Sequence, residues 1–476
     1  MQQFQPRATK NQQHTTSDWI KMTFQSNEDV ITLAVPRDMR GIHKLQQPYF
    51  ADLPCGNDCP AECEIRAKVI KLRDSLKPLV VDGSSILVNA FLTSYQKLCQ
   101  SPDTRNTYPP DIALPALFDL VMSAKYAEKM VADGGWTYCT GQAGSLIQDE
   151  PALYFPFLKT CPRCSVKYGV IPNVKSNKPG SDTIGEIASD ATLLILSEVI
   201  RRIAPGVKIG KSKDRQGDVD AIIYDETMIA LLEIKSSPLV IYPLEVRLSH
   251  PMTEVYDGIS GPKHNHSVAT ASLDTYELSL YIPHIDLHIP LGKRYTENWP
   301  YAELAEFVSS PQNIVKIITL WKELYDLYAE RGQRKPIDHR KWLICGCGSP
   351  VDDSKNAPGM DRTDDLKKGT YQVLKFGAYY KEKCPRRRMR AVLSSNLLAL
   401  RGFDRYLAEV QDVIWTKDKY SITLGDNATP SGIKAFHSND IFNLYDALIC
   451  LTRSIYRDEH LHEISSLEKF MNELCS

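Results

Sequence analysis

Asp220, Glu233 and Lys235 are the residues through which this 476-residue chain could do chemistry. They lie in a stretch reading Gly217-Asp218-Val219-Asp220-Ala221-Ile222-Ile223-Tyr224, then the polar turn Asp225-Glu226-Thr227, then Met228-Ile229-Ala230-Leu231-Leu232-Glu233-Ile234-Lys235. Each apolar run is of strand length and a turn-forming Asp separates them, so the stretch predicts a β-hairpin. Apolar residues on both sides of each run predict a sheet covered on both faces. Charged groups are costly in such a place unless they are paired or bind metal. Period-two alternation puts Glu233 and Lys235 on one face, and the hairpin sets Asp220 on the neighbouring strand, so two carboxylates and one ammonium converge. Two acidic oxygens and the Ile234 carbonyl are hard ligands suited to Mg²⁺. A metal held in this way polarises a phosphodiester and supplies hydroxide, while the lysine orients the water or stabilises developing charge. The reaction class this suggests is phosphodiester hydrolysis.

An acid on one strand followed by Glu-x-Lys on the next resembles the PD-(D/E)xK nuclease superfamily, with Asp220 and Glu233-Ile234-Lys235 in the signature positions. The triplet alone is a weak signal, since Asp353-Ser354-Lys355 and Asp365-Leu366-Lys367 spell it too; strand context and the paired Asp strengthen it. The family's leading Pro is absent. The resemblance implies that Asp220, rather than Asp218, is the first acid. It also implies that Glu186, opening an amphipathic segment that runs to about Ile203, is a supporting or second-metal ligand. The implied fold is α/β (α+β elaborated): a restriction-endonuclease-like core of helix, three strands, helix and strand, with a mixed central sheet flanked by helices. Asp361 to Gly377 then fills the second helix and Arg386 to Leu393 the last strand. Because the chain carries no Walker-type loop, helicase motif or internal repeat, the resemblance points to a type II restriction endonuclease. Such an enzyme hydrolyses double-stranded DNA at a short sequence using Mg²⁺, commonly as a homodimer that matches a palindromic site. Asp220 and Glu233 would ligate Mg²⁺ and Lys235 would orient the attacking water. The alternatives are a structure-specific DNA repair or recombination nuclease, and a catalytically inactive zinc-containing DNA-binding protein.

The elements that must position these residues come from the rest of the chain. With 43% hydrophobic and 24% charged residues it is ordinary globular material, long enough for two or three domains. A formal net charge of −1 argues against a protein that coats nucleic acid, so any DNA surface must be local. The polar, Gln-rich start lacks a signal peptide's apolar region and the apolar runs are too short to span a bilayer, so a cytoplasmic protein with no membrane partner is expected. Twelve cysteines at irregular spacing read as reduced thiols with some metal ligation.

In chain order, 1–60 reads as an irregular N-terminal segment and 61–135 as a helical arm with helices over roughly 61–76, 84–99 and 111–132. The arm either scaffolds the core or embraces a duplex or second subunit. Residues 136–180 read as a zinc knuckle, because Cys161-Pro162-Arg163-Cys164 is half of a tetrahedral structural Zn²⁺ site. Cys139 or Cys345-Gly346-Cys347 could complete it, and buried free thiols are the competing reading. Cys55, Cys59 and Cys63 make a weaker set, interrupted by Gly56 and Pro60. The first part of the nuclease core is 181–245, 246–340 an insertion or helical subdomain with a long helix over 302–331, and 341–476 the completion of the core with helices over 439–456 and 460–474. The triplet His264-Asn265-His266 reads as a polar loop. Basic residues nominated for DNA binding are Lys211, Lys213 and Arg215 ahead of the metal-site strand, and Arg386, Arg387, Arg388 and Arg390 near Lys381 and Lys383. For both groups the competing reading is a solvated charged turn.

Overall fold

The computed structural model describes residues 83–141, 150–169, 172–203, 205–212, 219–224, 228–250, 273–330, 357–383, 388–397 and 447–452, with isolated strand segments between and beyond them. The chain is mixed α/β, built on two six-stranded sheets. The described helices are α1 (Gly83–Leu98), α2 (Pro102–Thr107), α3 (Pro110–Met130), α4 (Pro162–Lys167), α5 (Ser181–Ile203), α6 (Tyr301–Val308), α7 (Pro311–Ala329) and α8 (Thr363–Lys383).

The first sheet is antiparallel throughout. It uses β1 (Gly134–Cys139), β2 (Ala152–Phe155), β6 (Leu244–Arg247), β7 (Ser267–Thr270), β8 (Glu277–Ile282) and β9 (Leu287–Lys293), in the spatial order β9-β8-β6-β2-β1-β7. The second sheet is mixed. It uses β3 (Lys208–Lys211), β4 (Ala221–Tyr224), β5 (Met228–Ile234), β10 (Arg388–Ser395), β11 (Ala447–Cys450) and β12 (Ile455–Tyr456), in the order β12-β11-β10-β5-β4-β3. The strands β3, β4 and β5 form an antiparallel meander, whereas β10 runs parallel to both β5 and β11. A parallel neighbour needs a long crossover, and α8 lies within it and packs on β10 and β5.

Leu193, Leu196 and Ile200 of α5 meet Ala221, Ile223, Ala230, Leu232, Ile234, Val392 and Ile449 in one cluster, which covers one sheet face. Leu366 and Val373 of α8 are buried on the other side. Both faces are therefore covered, as the unbroken apolar runs predict.

Several expectations need correction. The helices α1 and α3 are not an arm: they pack on each other and on α5 and α7, and their apolar residues join the largest core cluster. Almost every residue of α3 from Pro110 to Ala127 is buried, because it is apolar all round, the mark of a central helix. The knuckle and the insertion are not separate units, since 136–155 and 244–293 contribute strands to one sheet. The helix expected over 302–331 is two helices, broken where Ser310 takes an extended conformation before Pro311. The helix expected over 439–456 is instead a strand at Ile441–Asn443, then β11 and β12. The apolar tetrapeptide Ala447-Leu448-Ile449-Cys450, in which Leu448, Ile449 and Cys450 are all buried, shows no alternation to distinguish strand from helix. The segments 61–76 and 460–474, His264, His266, Cys345, Cys347 and the Cys55, Cys59 and Cys63 set lie outside the described residues.

Candidate active site

The site is built at the carboxyl end of β5. Register pairs Ala221 with Leu232, and Asp220, one residue ahead of β4, lies beside Glu233 at that end of the hairpin. The Asp220 N–H donates to Leu232 O at 2.9 Å, and the Ser212 N–H donates to Asp220 O at 2.8 Å, which extends the ladder on both sides of the acid. Alternation along β5 puts Glu233 and Lys235 on one face. Asp220 Oδ2 accepts a 2.8 Å hydrogen bond from the Ile234 N–H, and the Asp220 and Glu233 carboxyls are themselves in hydrogen-bond contact. Lys235 Nζ pairs with Glu233 Oε1, and Glu233 is only 3% exposed.

Burial raises the Asp220 carboxyl above its ordinary range, against the opposing pull of the Ile234 N–H and the Lys235 and Lys211 ammonium groups. For Lys235 burial works toward the neutral amine, but the carboxylates of Glu233, Asp220 and Asp365 outweigh it, so its pKa is raised and the ammonium stays charged.

The loop after β5 is pinned. Lys235 N–H donates to Ser394 O of β10 at 2.9 Å. Asn396 clamps Ser237 reciprocally, its Oδ1 accepting from Ser237 N at 3.1 Å and its Nδ2 donating to Ser237 O at 2.8 Å. Thr192 Oγ1 of α5 lies 2.8 Å from Ser236 Oγ, which also accepts from the Asn396 N–H at 3.1 Å. Further along, the Asp119 carboxyl group of α3 receives the N–H groups of Leu239 at 3.2 Å and Val240 at 3.1 Å and the indole N–H of Trp321 at 2.7 Å. Gly369 of α8 allows the closest approach to the lysine: a Cβ there would stand 3.0 Å from Lys235 Cγ and 2.9 Å from Leu393 Cδ1.

Asp220, Ile234 and Lys235 open into a cleft of about 820 Å³. One wall is α5, through Asp182, Glu186 and Ser189; Arg362, Asp365 and Lys368 line the other. Glu186 therefore sits on the cleft, but its carboxylate is 54% exposed and bonded to Lys129 Nζ at 3.5 Å. It does not join Asp220 and Glu233 in a compact ligand set: among the described residues the one group of three or more ligating side chains within 4.8 Å of one another is made of cysteines. One turn further along α5, Asp190 pairs with Lys211, the cation whose charge reaches Asp220. Asp365 was set aside in the sequence as part of a chance triplet and Asp190 was not singled out; the signal for Asp190 was present, since it follows Glu186 by four residues on a helix that faces the site strands.

Of the other nominated residues, Lys211 lines the cleft and Arg388 begins β10. Arg390 lies within β10 at 6% exposure, so its guanidinium is held in the sheet rather than offered to a ligand at the surface. Lys213, Arg215, Arg386 and Arg387 lie outside the described residues. Cys161 and Cys164 do meet, and Cys139 from β1 meets them, forming a buried cluster that could hold a metal ion. No helix among the described residues is long and apolar enough to cross a membrane.

No protein-family model matches this chain, and comparison with curated proteins and with solved structures likewise returns no match.

Proposed function

We propose that the chain is an endodeoxyribonuclease of the PD-(D/E)xK type, and within that class a type II restriction endonuclease acting on double-stranded DNA with Mg²⁺. The observation that carries the reading is the meeting of Asp220, Glu233 and Lys235 from adjacent strands, with Asp220 and Lys235 opening onto one cleft and Glu233 buried beneath them. The order α5, β3-β4-β5 meander, α8, β10, interrupted between β5 and α8 by β6 to β9, α6 and α7, supports it, since a restriction-endonuclease-like core would run helix, three strands, helix and strand.

The donor chemistry suits a divalent ion. Two carboxyls pressed together in a largely buried place need a shared proton or a cation between them. Asp220 and Glu233, with the Ile234 carbonyl, are the groups that would hold Mg²⁺, and Glu186 and Asp190 stand on the facing helix. When bound, the ion would polarise the scissile phosphate and lower the pKa of a coordinated water. Lys235, held charged by Glu233, orients the attacking water or meets the charge that develops on the phosphate. The cleft has the volume of a small-ligand site, enough for a nucleotide-sized part of the backbone at the chemistry, while the remaining duplex lies across its mouth. Lys211, Lys368 and Arg362 bring positive charge to that cleft.

The test is incubation of purified protein with a long phage DNA, with and without Mg²⁺, followed by sequencing of the ends. Discrete fragments with a common end sequence are expected, and a homodimer by light scattering. Glu233→Gln and Lys235→Ala should each lower the rate at least 1000-fold while keeping DNA binding. Cleavage by either variant above a tenth of the wild-type rate would remove these residues from the chemistry, and cutting only at flaps or junctions would select a repair nuclease instead.

A further inference from the structure

We propose that Cys139, Cys161 and Cys164 bind one Zn²⁺ through three thiolates, forming a structural clasp separate from the proposed nuclease site. The cysteines come from two elements far apart in sequence. Cys139 ends β1, Cys161 caps α4, and Cys164 lies in that helix's first turn. Their sulfurs all lie within 4.8 Å of one another, and the side chains are buried, at 0%, 0% and 2% exposure. The Cys139 and Cys164 sulfurs are 3.7 Å apart. An ion about 2.3 Å from each sulfur at the tetrahedral angle spaces two ligands by about 3.8 Å, so this edge already has the length that zinc requires. A disulfide would use only two of the three sulfurs, at little more than half that separation.

The surroundings suit the charge. Three thiolates around Zn²⁺ carry a net charge of −1, and Arg163, between Cys161 and Cys164 in sequence, is a buried guanidinium whose field reaches Cys139 and Cys164. Arg163 is fixed by Tyr154 Oη at 2.6 Å and Glu150 O at 2.8 Å, and Glu245, 3.7 Å from the guanidinium, also lies 2.6 Å from His288 Nδ1. The Gly141 N–H points at Cys139 Sγ at 3.4 Å, a backbone donor of the kind that steadies a metal-bound sulfur. Thiolate softness selects Zn²⁺ over the hard ion of the other site. On binding, three S–H bonds give up three protons to solvent and three sulfur–metal bonds form. The clasp ties the α4 turn to the first sheet.

The test is metal content of the full chain purified without chelator, by elemental mass spectrometry. One zinc per chain is expected. Cys139→Ser and Cys161→Ser should each reduce it to below a tenth, whereas Cys99→Ser, at a buried thiol outside the cluster, should leave it at one. Because the cluster variants could unfold, wild-type protein reconstituted with Co²⁺ supplies a second readout: sulfur-to-cobalt charge-transfer absorption in the near ultraviolet and intense tetrahedral bands in the visible. Folded wild-type protein with no zinc and no cobalt–thiolate absorption, full zinc retained in both cluster variants, or an isolated Cys139–Cys164 disulfide would each overturn the proposal. None of these readouts depends on DNA cleavage, so the clasp and the nuclease assignment stand or fall separately.

Discussion

Asp119 is the most exposing place to perturb this architecture, because one buried side chain fixes the loop that leaves the site. The carboxyl is 1% exposed and accepts three N–H groups, two on Oδ2 from Val240 and Trp321 and one on Oδ1 from Leu239. In Asp119→Asn the amide oxygen can take the place of Oδ2 and keep two of the three donors, leaving the Leu239 N–H facing an NH₂. One orphaned buried donor costs about 1–3 kcal/mol. In Asp119→Ala all three donors lose their acceptor and a small void opens, so the cost should be about 4–6 kcal/mol. The assay is equilibrium urea unfolding followed by tryptophan fluorescence, with Trp321 as a reporter inside the network. Burial pushes the Asp119 carboxyl up to about 8, against its three hydrogen bonds. Its folded pKa thus lies above the unfolded one. The stability it contributes is full below about pH 4 and is lost as pH rises through about 8, at up to ~1.4 kcal/mol per pH unit. Asparagine cannot titrate, so the advantage of wild type over Asp119→Asn should shrink as pH rises from 5 and change sign before pH 8. A gap that stays constant across that range would refute the neutral carboxyl, and an alanine variant within 1 kcal/mol of wild type would refute the hydrogen-bond accounting.

Two further substitutions test how the site is held. Gly369→Ala places a methyl against Lys235 Cγ and Leu393 Cδ1, so it should destabilise by about 1–2 kcal/mol and lower kcat more than it raises KM; unchanged cleavage would show that α8 does not set the lysine. Lys211→Ala removes a cation that holds down the Asp220 pKa, so the acidic limb of the cleavage profile should move to higher pH. A limb that stays in place in that variant would detach Lys211 from the site.

The hairpin bearing the site was readable because both runs are short, apolar and separated by a turn, and the paired register follows from that geometry alone. The helices α5 and α8 were readable for a related reason: each keeps a one-sided apolar stripe. What failed was information that resides in the partners of a segment. The strand β11 is central and apolar on both sides, so its period is silent. Cys139 was one of two sources open for completing the Cys161 and Cys164 pair, and the pairing of β1 with β2, 22 residues of chain folded back, is what brings it there. Glu186 lies on a helix that lines the cleft, yet its carboxylate turns to Lys129, a residue of α3 that no local pattern points to.

The strand β10 completes the ladder on the far side of β5, donating the carbonyl that receives the Lys235 N–H, and it is made long after β5. Roughly 150 residues separate them, on the order of 10–30 s of synthesis. Through that interval a nascent chain carries the acidic hairpin with one side of β5 uncovered and the lysine's backbone unanchored. The cleft would then be assembled late, when the final third of the polypeptide leaves the ribosome, so a product truncated before β10 would lack the finished site.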